Sequence, residues 1–139
     1  MGQSDRCIKM DTISKVKNDG KNKKKISWRN IELAVLDLSI QIKEKYPDIK
    51  TIYGIPRGGL IIAVMLSHKL NIRLSQTIPL DHSDLLIVDD IIDSGNTMQF
   101  NSSLKTTTAS ILYRKTSNFK PDVYVKDAED YWWVFPWEV

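Results

Sequence analysis

The sequence predicts a single α/β domain with a mainly parallel sheet flanked by helices. Three observations carry this expectation. Leu85-Leu86-Ile87-Val88 is an unbroken apolar run, as expected for a strand buried on both faces. Strand-type and helix-type segments alternate beyond residue 26, and such alternation builds parallel sheets. The chain has 139 residues, which supports one domain with a real core.

The elements follow in order. Ser27 can cap a helix over about 28–46, whose apolar positions Ile31, Val35, Leu38 and Ile42 keep helical spacing. Pro47-Asp48 stops it. A strand is expected over 50–53, then a buried helix over 60–70 that carries Ile61, Val64, Met65 and Leu66. A strand over 72–77 precedes the central strand at 85–88. A short helix over 97–104 and strands near 108–113 and 123–125 follow, then an aromatic tail. Neither an internal repeat nor a second domain is evident.

Charge is uneven along the chain. Residues 1–25 carry eight Lys or Arg and three Asp, a balance of +5, whereas the rest carries twelve Lys or Arg and fourteen Asp or Glu, −2. The first 25 residues also lack apolar periodicity. They read as a flexible basic tail, with residues 26–139 as the folded domain. A solvating tail is favoured over one that binds nucleic acid or a membrane surface. The single cysteine, Cys7, excludes a disulfide within the chain and fits a reducing compartment. No apolar stretch follows the N-terminal charges, and no 18-residue apolar run occurs. A cytoplasmic protein without a membrane anchor is expected.

The chemistry concentrates in Leu85 to Thr97, read as LLIVDDIIDSGNT. The apolar run leads into Asp89 and Asp90. Asp93 follows, then Ser94-Gly95-Asn96-Thr97. Open α/β sheets bind ligands beyond the carboxyl ends of their strands. Gly95 lets the backbone approach an anion closely, and Ser94 and Thr97 can donate hydroxyl hydrogen bonds to phosphate oxygens. Asp89 and Asp90 repel phosphate, so sugar hydroxyls or a divalent cation suit them better. A phosphorylated ribose satisfies both ends of the segment.

VDDIIDSGNT resembles the PRPP-binding motif of the type I phosphoribosyltransferases, where PRPP is 5-phosphoribosyl 1-pyrophosphate. The family pattern is a hydrophobic strand, two acidic residues, two apolar residues, then Asp-Thr/Ser-Gly-x-Thr, and every position matches. The resemblance implies that Asp89 and Asp90 hold the ribose hydroxyls, directly or through Mg²⁺. It implies that Asp93, Ser94, Gly95, Asn96 and Thr97 cradle the 5-phosphate, with Asp93 as general base or stabiliser of a cationic sugar. Thr51 to Leu60, TIYGIPRGGL, is similar to the family's pyrophosphate loop. The resemblance places pyrophosphate on Arg57, Gly58 and Gly59, with a cis peptide at Pro56-Arg57.

Two further segments resemble the xanthine–guanine and related 6-oxopurine branch. Tyr131 to Glu138, YWWVFPWE, is similar to a Trp-x-x-x-Pro-Trp-Asp/Glu tail. It implies base stacking on Trp132, backbone contacts from Trp133, and a carboxylate near the metal at Glu138. Ala109 to Lys115, ASILYRK, ends in two cations where that branch has a base-binding lysine. Arg114 fits by spacing and Lys115 by residue type, and strand alternation lets only one face the site. The expected activity is transfer of ribose 5-phosphate from PRPP to guanine, xanthine or hypoxanthine, with Mg²⁺ as cofactor and pyrophosphate released. A homodimer or homotetramer is expected.

Two departures stand out. Type I enzymes carry a long loop, the hood, that closes over the substrates, whereas only residues 71–84 separate the second helix from the central strand. The N-terminal region that usually helps hold the base is also missing. These departures keep open an alternative, a weakly active or inactive PRPP- or nucleotide-binding regulatory protein on the same fold.

Overall fold

The computed structural model describes residues 14–18 and 21–138. Strands β1 (Ser14–Asn18) and β2 (Lys21–Lys25) lead into helix α1 (Trp28–Lys45). Strand β3 (Thr51–Gly54), helix α2 (Gly58–Leu70), strand β4 (Arg73–Ser75) and strand β5 (Leu85–Ile92) follow. Helix α3 (Asn96–Asn101), strands β6 (Thr107–Tyr113), β7 (Val123–Asp127) and β8 (Trp132–Val134), and a 3-10 turn (Pro136–Glu138) complete the order.

The main sheet has five strands in the order β4-β3-β5-β6-β7. Every neighbouring pair is parallel, with Ile52 opposite Leu86 and Val88 opposite Ala109. All carboxyl ends therefore open on one edge, and the strand order places β5 at the centre of it. The expected α/β architecture is the observed one.

Helix α1 begins where Ser27 Oγ accepts the Asn30 N–H at 3.1 Å. It ends at Tyr46, ahead of Pro47, which has no N–H to continue the ladder. Ile31, Leu38 and Ile42 are fully buried with Ile62 and Leu66 of α2, against Ile52, Leu86, Val88 and Ile111. Thus α1 and α2 cover one face together. The opposite face holds a smaller cluster of Ile55, Leu85, Ile87, Ile92, Met98 and Tyr113, covered partly by α3. Alternation along β5 sends Leu86 and Val88 one way and Leu85 and Ile87 the other, which is why the first four residues of the strand are all apolar.

The structure corrects the reading of residues 1–25 as a flexible tail wherever it describes them. β1 and β2 pair antiparallel, and β2 pairs parallel with β8, Lys24 lying opposite Trp133. Cys7 and its neighbours lie outside the described residues. The lysine run misleads because its stems are apolar. Lys24 Nζ stands 3.8 Å from the Tyr131 ring centre and 5.4 Å from that of Trp133. This hairpin docks on the aromatic tail, where the sequence suggests a missing N-terminal region. Residues 76–84, which join β4 to β5, form only a short loop, with His82 Nδ1 2.9 Å from Ser103 Oγ. Among the described residues, no helix is long and apolar enough to cross a membrane.

Candidate functional site

Three adjoining cavities lie along the carboxyl edge of the sheet. The largest, about 660 Å³, is lined by Ile55 to Gly58, Asp89, Asp90, Thr97, Trp137 and Glu138, among others. A small recess of about 80 Å³ shares Asp89 and Thr97 with it and adds Asp93, Ser94 and Gly95. The third, about 180 Å³, shares Asp93 with the recess and is otherwise lined by Arg114, Asp130, Tyr131 and Trp132. Shared walls join the three in the order Arg57, Asp93, Trp132.

In the largest cavity, the Pro56–Arg57 peptide is cis, as the resemblance implies. Gly58 is needed for close approach, since a Cβ there would stand 1.9 Å from Asp90 Oδ2. Asp89 and Asp90 lie inside β5, which runs on to Ile92 rather than ending at Val88. Asp89 Oδ1 accepts the Asp90 N–H and Asp90 Oδ1 accepts the Ile91 N–H, each at 2.8 Å. Burial, then the neighbouring Asp90 charge, pushes the Asp89 carboxyl up to about 8.

That crowding of negative charge suits a cation that also takes oxygens from a substrate, the usual manner of Mg²⁺. Glu138 lines the same cavity, and its Oε1 accepts the Phe135 N–H at 2.8 Å. Among the described residues, no three His, Cys, Asp or Glu side chains form a metal cluster. The residues fit a cation shared with a substrate, not an all-protein cage.

In the recess, Gly95 has φ +93°, which favours glycine. A Cβ there would meet Asn118 Oδ1 at 2.4 Å and Phe119 Cβ at 2.8 Å. Asn118 donates its N–H to the Ser94 carbonyl and its Nδ2–H to Asn96 Oδ1, both at 2.9 Å. Ser94 Oγ accepts the Asn96 N–H at 3.2 Å. Asn118 and Phe119 therefore buttress the loop, and the sequence offered no signal for them.

In the third cavity, Arg114 Nε donates to Asp93 Oδ1 at 2.6 Å. Its terminal nitrogens donate to the carbonyls of Glu129 and Tyr131. Lys115 turns away and pairs with Asp127 at 3.4 Å in an exposed position. Alternation thus puts Arg114, not Lys115, in the cavity. Trp132 is 52% exposed and offers a ring face, whereas Trp133 is buried and donates its indole N–H to the Ala128 carbonyl at 2.8 Å. Asp130 and Tyr131 also line this cavity, and only their closeness to the aromatic tail could have pointed to them.

No protein-family model matches the chain. A xanthine-guanine phosphoribosyltransferase of Idiomarina loihiensis is 30% identical over an alignment that covers 82% of this chain and 86% of that one. The chain belongs to the type I phosphoribosyltransferase family. A second family member, a xanthine-guanine phosphoribosyltransferase of Chromohalobacter salexigens, is 29% identical over 82% of this chain and 83% of its own. The solved purine phosphoribosyltransferase of Pyrococcus horikoshii matches with TM-score 0.72 and 30% identity over 84% of this chain and 94% of that one. The Helicobacter pylori xanthine-guanine-hypoxanthine phosphoribosyltransferase matches with TM-score 0.75 at 24% identity, covering 86% and 94%, and speaks for the fold alone.

Proposed function

We propose that this phosphoribosyltransferase transfers ribose 5-phosphate from PRPP to a 6-oxopurine and releases pyrophosphate. The observation that carries this reading is the run of three cavities with shared walls. It offers, in sequence, a site for pyrophosphate, for ribose with its 5-phosphate, and for a base. The distal anion goes to Arg57 and the backbone of Gly58 and Gly59. The ribose hydroxyls go to Asp89 and Asp90, and the 5-phosphate to the loop from Asp93 to Thr97. The base lies on Trp132, beside the Trp133 backbone, with Arg114 at its edge. Lys115 lies outside this arrangement.

In the reaction, the C1–O bond to pyrophosphate breaks and the C1–N9 bond to the purine forms on the opposite face of C1. The purine N–H proton departs, and Asp93 is the carboxylate placed to receive it or to stabilise the cationic sugar. Asp89 and Asp90, with Glu138 nearby, would hold Mg²⁺ together with substrate oxygens, and the bound ion would neutralise charge on the leaving group. The Trp132 ring supplies stacking area, and the docked β1–β2 hairpin supports the strand that carries it.

A homodimer or homotetramer in the cytoplasm agrees with this reading. The short connection at 76–84 favours a second reading, a PRPP- or nucleotide-binding protein with weak turnover, because water exclusion needs a cover. One assay separates the two. Pyrophosphate release is measured from PRPP and Mg²⁺ with guanine, xanthine, hypoxanthine and adenine in parallel, beside PRPP binding by calorimetry. Turnover with a 6-oxopurine and not with adenine is the expected result. PRPP binding without turnover for any base moves the second reading to first place.

A further inference from the structure

Arg114 ties together the two halves of the site. Its guanidinium donates from Nε to Asp93 at 2.6 Å, from one terminal nitrogen to the Glu129 carbonyl, and from the other to the Tyr131 carbonyl at 3.0 Å. Three diverging acceptors are thus met by one planar fork. Asp93 opens the phosphate loop, while Glu129 and Tyr131 belong to the turn that presents Trp132.

Both segments need holding. Glu129 sits at φ +56°, a region that non-glycine residues rarely adopt. The Asp93 side chain is 59% exposed and gains its orientation from the arginine. The arginine is itself well anchored, since its N–H donates to the Ile92 carbonyl at 2.9 Å and its side chain is only 19% exposed.

We propose that Arg114 is a positioning residue that clasps the Asp93 loop to the Trp132 turn and so sets the spacing between the proton-accepting carboxylate and the stacking ring. The inference rests on the phosphoribosyltransferase reading and deepens it. It gives Arg114 a role that lysine does not fill. One ammonium is a point donor and cannot span three acceptors that a fork reaches. A residue that acts mainly as a cationic donor to the base edge, in contrast, is replaceable by lysine.

The test compares the full chain with Arg114→Lys and Arg114→Gln. Steady-state kinetics use PRPP, Mg²⁺ and guanine, and hydrogen exchange is followed in peptides covering 92–98, 128–134 and 85–88. Both variants are expected to raise the KM for guanine and lower kcat, each by about tenfold. Exchange is expected to quicken in 92–98 and 128–134 and to stay unchanged at 85–88. Arg114→Lys with guanine KM and kcat within about twofold of the parent assigns the side chain to base donation and overturns the clasp. Quickening in only one segment, or in neither, overturns it too, and so does quickening that extends to 85–88. If the parent chain turns over no purine, the proposed activity fails on its own, and the exchange comparison still decides the clasp.

Discussion

The proposed phosphate end and the proposed base end of the candidate site are built in different ways. At the first, Asp89 to Thr97 supply most of the polar groups from one stretch of chain, and the central strand aims them. At the base end, Arg114, Asp130 to Trp132 and the β1–β2 hairpin come from three separate regions. A contiguous motif carries its own geometry, because a strand, a tight turn and a glycine are local devices. An assembled site depends on which distant segments pair.

Four perturbations sharpen that contrast, taken from the largest effect to the smallest. Asp93→Asn should lower kcat by about 10²–10⁴-fold without loss of fold, because it removes the proposed proton acceptor while its amide oxygen can still accept from Arg114. Steady-state assay reads this, and full turnover removes Asp93 from that role. At the base end, two neighbouring tryptophans should part company. Trp133→Ala should cost about 3–5 kcal/mol of stability in denaturant unfolding, since its ring is buried and its N–H bonded. Trp132→Ala should leave the unfolding midpoint nearly unchanged and weaken purine binding by about 1–3 kcal/mol, the usual worth of base stacking. Equal stability losses for the two would erase the distinction between wall and platform.

The third perturbation is pH. Asp89 has its carboxyl raised to about 8 by burial and by Asp90, against an ordinary value of 3.8. Between those values the folded chain binds more protons than the unfolded chain, so stability falls as pH rises from about 4 to about 8. Thermal unfolding from pH 5 to 9 without Mg²⁺ should show this decline, and Asp89→Asn should flatten it. A stability that rises through that window in the parent and not in the variant contradicts the assignment. The smallest effect belongs to Lys24→Ala, which removes the cation over Tyr131 and Trp133 and should cost about 0.5–1 kcal/mol. Lys24→Glu costing no more than Lys24→Ala would argue against a charge contribution.

The same contrast explains what was legible beforehand. The five strands of the main sheet and the three helices follow from periodicity, caps and breakers, with shifts of a few residues at their ends. β5 runs longer than expected because Asp89 and Asp90 keep strand geometry despite their polar side chains, and the apolar Ile91 and Ile92 continue the strand beyond them. The lysine hairpin was missed because a charged strand is stabilised by its partner's backbone and rings, which local composition does not record. Asn118 and Phe119 were missed because their job is to fill space under Gly95, a contact across more than twenty residues of chain.

By itself the sequence determined the parallel α/β core, the tight loop after the paired carboxylates Asp89 and Asp90, and the Arg57 loop, since strand burial, turn chemistry and residue type act over a few neighbouring positions. It left Arg114 and Lys115 as equals. Tertiary structure decided between them: the register of β6 against β5 and the turn at Glu129 send one cation into the cavity and the other to Asp127. It also decided that Trp132 is exposed and Trp133 buried, and that Lys24 covers the rings of the aromatic tail. These outcomes depend on packing between segments far apart in the chain, where the energy belongs to the pair and neither partner's sequence records it.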